Sequence, residues 1–133
     1  MEKLLAGRVV TIVLPQGAEV NRDLASRARE LGIRRGQVIA GLGSLRQVTV
    51  RNPVTADMPP RMERRSWDGP LEVVSLEGEV NFDDAAKGPV HLHGSFSLKD
   101  GQVVGGALDS PSRVFKDLRC MILVEAEWDH SQR

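Results

Sequence analysis

Apolar residues run almost without a break from Arg8 to Leu14, RVVTIVL, a β-branched stretch that predicts a strand buried on both faces and ended by Pro15. The period then changes. Val20, Leu24, Ala28 and Leu31 recur at helical spacing, with Asn21 in the N-cap position and Gly32 as the stop, so one main helix is predicted over residues 22–31. Arg22, Ser26 and Arg29 fall on its opposite, solvated face. Strand pattern resumes at Gln37 with QVIAG, turns a tight glycine-rich corner at Gly41-Leu42-Gly43-Ser44-Leu45, and continues through QVTVR. Residues 52–66 hold three prolines together with Arg61, Arg64 and Arg65, which predicts a long loop. Further strands are predicted over residues 71–82, 90–98, 102–108 and 118–128, and residues 130–133 read as a frayed tail.

The predicted class is therefore α+β, with about six or seven strands and one main helix. No repeat or linker divides the chain, so residues 1–133 form a single domain with its core over about residues 8–129. Covering such a sheet is a problem for one short helix. Leu71 and Val73 lie on one pleat face and Val74, Leu76 and Val80 on the other, so both faces carry apolar groups. Either copies of the chain cover the surplus, or the sheet curls and covers itself. A homo-oligomer is the expectation, with curling compatible.

Composition narrows the classes. Hydrophobic residues make up 41% and charged residues 27%, as in a soluble globular protein, and no run approaches the roughly 20 apolar residues of a membrane span. The start, MEKLLAGRVV, has no apolar signal core, and the single Cys120 sits in CMILV, where an inert buried thiol is expected. A cytoplasmic location is expected. Net charge is zero, yet residues 1–66 carry +6 and residues 67–133 carry −6. Such asymmetry suits either a nucleic-acid face or complementary surfaces that meet in an oligomer.

Candidate chemistry is concentrated in Gly88-Pro89-Val90-His91-Leu92-His93-Gly94-Ser95. Residues i and i+2 of a strand point the same way, so His91 and His93 share a polar face with Ser95 and Ser97, opposite Leu92, Phe96 and Leu98. Two imidazoles so placed either hold one transition metal or hydrogen-bond to neighbours. A catalytic zinc wants three protein ligands, so the pair alone is incomplete. The hairpin that follows bears on the third. A three-residue loop, Lys99-Asp100-Gly101, pairs Leu98 with Gln102 and brings Ala107 opposite His93, whereas a two-residue loop puts Ala107 on the other face. Gly41-Leu42-Gly43-Ser44-Leu45 lacks the lysine of a phosphate loop and the third glycine of a dinucleotide fingerprint, and Ser44 has no histidine at a diagnostic spacing.

GLGSL at 41–45, GPLEVVSLEGEV at 69–80, PVHLHGSFSLKDG at 89–101 and QVVGGAL at 102–108, in that order, resemble the PPC (plants and prokaryotes conserved) domain family, of the prokaryotic single-domain type without an AT-hook. The resemblance implies a mixed, mostly antiparallel sheet flanked by a helix, assembled as a homotrimer. Many prokaryotic members carry a third histidine in a Gly-Gly-His-Leu motif, which here reads Gly105-Gly106-Ala107-Leu108, so His91 and His93 are the remnant of a metal site whose third position is Ala107. His130 is a substitute ligand only if the tail folds back or crosses to another subunit. In plant members the segment matching Gly69, Pro70, Leu71, Glu72, Val73 and Val74 takes part in partner binding.

The expectation is a non-enzymatic homotrimeric module, regulatory or scaffolding, associated with DNA through Arg46, Arg51, Arg61, Arg64 and Arg65. Other proteins are further candidate partners; a membrane is not. No cofactor is expected. The alternative is a metal or small-molecule binding protein, enzymes included, with zinc or another transition metal at His91 and His93 between subunits.

Overall fold

A computed structural model describes residue 2 and residues 7–84 and 88–128. The elements are β1 (Val9–Pro15), α1 (Val20–Glu30), β2 (Ile33–Pro53), β3 (Met62–Asn81), β4 (Val90–Ser97) and β5 (Val103–Glu127). The sheet order is β1-β5-β2-β3-β4, and β4 pairs again with the first part of β5. Strands β5, β2, β3 and β4 thus close a ring, with β1 added outside it. The predicted curl is present.

Five strands replace the six or seven expected. Two predicted pairs are each one long strand, because the Gly41–Leu45 corner and the stretch 109–117 bend without leaving the ladder. Register shifts between Val38 and Ala40, Gly43 and Leu45, and Leu45 and Gln47 absorb the bend. Gly43, at φ +154, allows it: a Cβ there would stand 2.2 Å from the Asp117 carbonyl oxygen. Every described pairing is antiparallel, so the sheet is not mixed. The predicted 52–66 loop is also shorter. Asn52 pairs with Glu63 and Pro53 with Met62, leaving residues 54–61 as the turn of a long hairpin.

The helix begins at Val20, two residues early, and its N-cap is Glu19 rather than Asn21. Glu19 donates its backbone N–H to Asp23 Oδ2 at 2.9 Å, while the Asn21 carboxamide reaches away to the Leu108 carbonyl at 3.2 Å. Gly32, at φ +78, ends the helix as predicted. Val20, Leu24 and Ala28 are fully buried, but Leu31 at the last turn is exposed. These side chains join one core with Leu45, Val48, Leu71, Phe96, Val114, Leu118 and Ile122 from the inner face of the ring. Cys120 belongs to this core, and burial pushes its thiol up to about 12.

The outer face is not covered. Val13 pairs with Arg119 and Arg119 with Leu42, and constant register on either side of Leu42 sets it level with Val74. In that row Val13, Leu42 and Val74 are 50%, 62% and 58% exposed. The tail residues 130–133, His130 among them, lie outside the described residues.

Candidate functional site

The site begins with the turn Lys99-Asp100-Gly101. Gly101 takes φ +89, its N–H donates to the Leu98 carbonyl at 2.9 Å, and the Leu98 N–H donates to the Gln102 carbonyl at 2.8 Å. This is the three-residue loop, and it sets His93 directly opposite Ala107. Leu92 and Phe96 point into the core and His91 and His93 point out, as the alternation requires. On the other flank His91 pairs with Glu79 and His93 with Glu77. Gly78 lies between those glutamates because the two strands approach closely: at φ +153, a Cβ on it would stand 2.0 Å from the His91 carbonyl oxygen.

The two imidazoles meet edge to face with centroids 5.1 Å apart, and their Nε2 atoms are 3.3 Å apart. Two nitrogens bound to one tetrahedral zinc at about 2.0–2.1 Å stand about 3.3–3.4 Å from one another. The pair therefore has the spacing of two ligands of a single ion, and equally that of one N–H donating to a neighbouring ring nitrogen. What is missing is a third donor. Ala107 offers a methyl group, and no three histidine, cysteine or acidic side chains form a metal-binding cluster among the described residues. The residues present do not fit a three-ligand centre. Beside the pair, a shallow groove of about 480 Å³ is lined by Gln37, Ile39, Glu77, Glu79 and His91.

The five candidate arginines do not share one face. Arg51 pairs with Ala107 on β5 and with Arg64 on β3, so in the row that starts at His93 Arg51 stands one strand beyond Ala107 and Arg64 one strand further. Both converge on Asp109: Arg64 Nε is 3.3 Å and Arg51 Nε 4.0 Å from its Oδ2, and Arg64 also donates to the Ser110 carbonyl. Arg65 points the opposite way and lies over the Trp67 ring at 5.2 Å. Arg61 is in the turn, where its N–H donates to Thr55 Oγ1. Arg46 stands apart, about 16 Å along β2 from Arg51 by strand rise. Of residues 69–74, the partner-binding candidates, Leu71 and Val73 are core, and Pro70, Glu72 and Val74 are exposed.

Sequence reasoning missed Glu77, Glu79 and Asp109 as neighbours of the histidines and arginines. The β3–β4 connection is too long for its length to fix a register, so no local signal gave the Glu77–His93 pairing. The Ala107–His93 pairing, across a tight turn, was one of the two registers that the sequence allowed.

A family model, the Plants and Prokaryotes Conserved (PCC) domain, matches residues 1–124. The chain belongs to the PCC domain family. Among solved PCC-like structures, a plant- and prokaryote-conserved protein of Pyrococcus horikoshii is 23% identical with a TM-score of 0.75, over 96% of this chain and 86% of that one. A metal-containing protein of Archaeoglobus fulgidus gives 23% identity and 0.75, over 95% and 87%. A Bacteroides thetaiotaomicron protein designated a candidate DNA-binding protein gives 20% and 0.70, over 93% and 81%. At these identities the likeness establishes the PCC fold. No curated protein matches the sequence.

Proposed function

We propose that this PCC-domain chain is a non-catalytic, homotrimeric, cytoplasmic module that associates with DNA through the β2–β3 hairpin. The observation that carries the reading is the hairpin itself. Between residues 62 and 70, β3 pairs only with β2 among the described residues, and residues 61–66 are exposed on both sides. Beyond Arg51 and Arg64 only β2 and β3 remain paired, a two-stranded end of the width that a DNA groove admits, while Thr49, Val50 and Arg51 also pair with β5. The hairpin carries Arg61 at this end and Arg51, Arg64 and Arg65 at its base, against Asp57 and Glu63, and its turn presents Met58, 90% exposed, beside two prolines. Arginines on the two sides of a ribbon suit phosphates on the two walls of a groove. An exposed Met-Pro tip suits apolar contact with base edges or sugars.

Self-assembly is supported by Val13, Leu42 and Val74, exposed apolar side chains in one row that Arg119 interrupts between the first two. Three copies would present three ribbons. The absence of catalysis is supported by the methyl group where a third donor would stand.

Charge reversal tests the reading: Arg64→Glu with Arg65→Glu should abolish duplex binding while the sedimenting mass stays that of a trimer. Unchanged DNA affinity would remove the hairpin from the interface. A monomeric wild-type mass would remove the assembly. A second reading, a metal bound by His91 and His93, is favoured by their 3.3 Å separation. It predicts zinc retained on gel filtration and lost in His91→Ala.

A further inference from the structure

A second cavity lies away from the histidines. It has a volume of about 710 Å³ and is lined by Gln16, Arg46, Gln47, Asp68, Arg113 and Phe115. Its floor is a three-strand row in which Gln47 pairs with Asp68 on one side and Arg113 on the other. Against β5, the register shift between Leu45 and Gln47 adds one residue to β2 at this point. Leu45 and Val48 are buried, so the extra residue, Arg46, faces outward together with Gln47 instead of alternating with it. A bulge thereby brings a second guanidinium to the cavity that holds Arg113.

These polar groups have little to satisfy them. Arg46 and Asp68 form no side-chain hydrogen bond or ion pair with any described residue, and Arg113 makes one long hydrogen bond, Nη1 to the Gly17 carbonyl at 3.4 Å, besides a longer-range attraction to the Asp23 carboxylate. Elsewhere on this protein an arginine near a carboxylate usually finds it: Arg8 with Glu127, Arg27 with Glu30 and Arg64 with Asp109. Two guanidinium groups, two carboxamides and one carboxylate around an open space form a donor-rich pocket with a net charge of +1. Phe115 supplies an apolar wall.

We infer that this cavity binds a small organic oxyanion, a carboxylate or a phosphate monoester, whose charged head meets Arg46 and Arg113 and whose apolar part lies against Phe115. Planar guanidinium groups recognise such heads by paired, charge-assisted hydrogen bonds. Gln16 and Gln47 supply further donors, and Asp68 selects ligands that also carry a donor of their own. The volume lies within the range of small-molecule sites. This inference is independent of the DNA-association reading, since none of these residues except Arg46 lies among the candidate DNA contacts and Arg46 lies away from the hairpin.

The test titrates the full chain by calorimetry with benzoate, phenyl phosphate and inorganic phosphate, in wild type and in Arg46→Gln, Arg113→Gln and Arg46→Lys. The expected result is saturable binding of benzoate or phenyl phosphate, weakened about tenfold or more by either glutamine variant and less by the lysine. Benzoate preferred over phenyl phosphate assigns a carboxylate ligand, and the reverse a phosphate. Both arginines are exposed strand residues, so circular dichroism should report intact folds. Three results overturn the inference: neither aromatic anion saturating below about 10 mM, inorganic phosphate binding as well as phenyl phosphate, or affinities that both glutamine variants leave unchanged.

Discussion

Replacing Ala107 by histidine should turn a pair of imidazoles into a zinc site, and the geometry says why. His91 and His93 already hold their Nε2 atoms 3.3 Å apart, against about 3.3–3.4 Å for two ligands of one tetrahedral zinc. Position 107 is directly opposite His93 across β4 and β5, where side chains leave the backbone about 4.5–5.5 Å apart and point the same way. A third imidazole there reaches the ion without moving the backbone, and water takes the fourth position. With free zinc at about 100 times the dissociation constant, binding adds about 2.7 kcal/mol to stability. For a chain of this size that raises the melting temperature by roughly 10 °C. The assay is thermal melting of wild type and Ala107→His with and without zinc, alongside metal content after gel filtration. Wild type should shift little and retain none, and the variant should shift and retain one ion per protomer. A folded variant that binds no more zinc than wild type would refute the register, or the reading of the His pair as two preset ligands.

Three other outcomes follow from Glu19, Cys120 and Asp23. Glu19→Ala removes the acceptor of the buried Ser112 N–H, which now reaches Oε1 at 3.1 Å, and should cost about 1–3 kcal/mol in urea unfolding, with Glu19→Gln costing less. Cys120 should resist thiol reagents at pH 8 until the chain unfolds. Because its folded value, about 12, lies above the ordinary 9.0, stability is whole below pH 9 and falls as pH rises from there towards 12, a slope that Cys120→Ala should lack. The Asp23 carboxyl is held below its ordinary 3.8 by hydrogen bonding to Arg22, so its contribution is present above that value and is lost as pH falls below it. Wild type and Asp23→Asn should therefore differ in stability at neutral pH and converge in acid.

What the sequence made legible was what short range decides. The helix face of Val20, Leu24 and Ala28, its stop at Gly32, the alternation along His91–Ser97 and the Lys99-Asp100-Gly101 turn each depend on a few neighbouring residues. The turn left two registers open, and its three-residue form pairs His93 with Ala107. The strand count failed for the opposite reason. Gly43 reads locally as a corner, but the close passage of Asp117 makes it a bend inside one continuous strand. Asn21 lost the cap to Glu19 because its carboxamide has a better use at Leu108, 87 residues away, a contact invisible in the helix sequence. The 710 Å³ cavity was illegible throughout. Arg46 arrives there by a bulge against β5, and Arg113 lies in a stretch that showed no period of its own.

The split of the basic residues matters for function. Arg51 and Arg64 share Asp109, so part of the apparent +6 of the first half is neutralised by the second half on folding. DNA would have to compete with that carboxylate, which favours a moderate, strongly salt-dependent affinity. The central claim is therefore tested most directly by measuring duplex DNA affinity of the wild-type chain as a function of salt. The account predicts a logarithmic slope of about −3 or steeper, as three or four arginine–phosphate contacts require. Binding that is undetectable near about 50 mM salt, or that salt leaves unchanged, would contradict it.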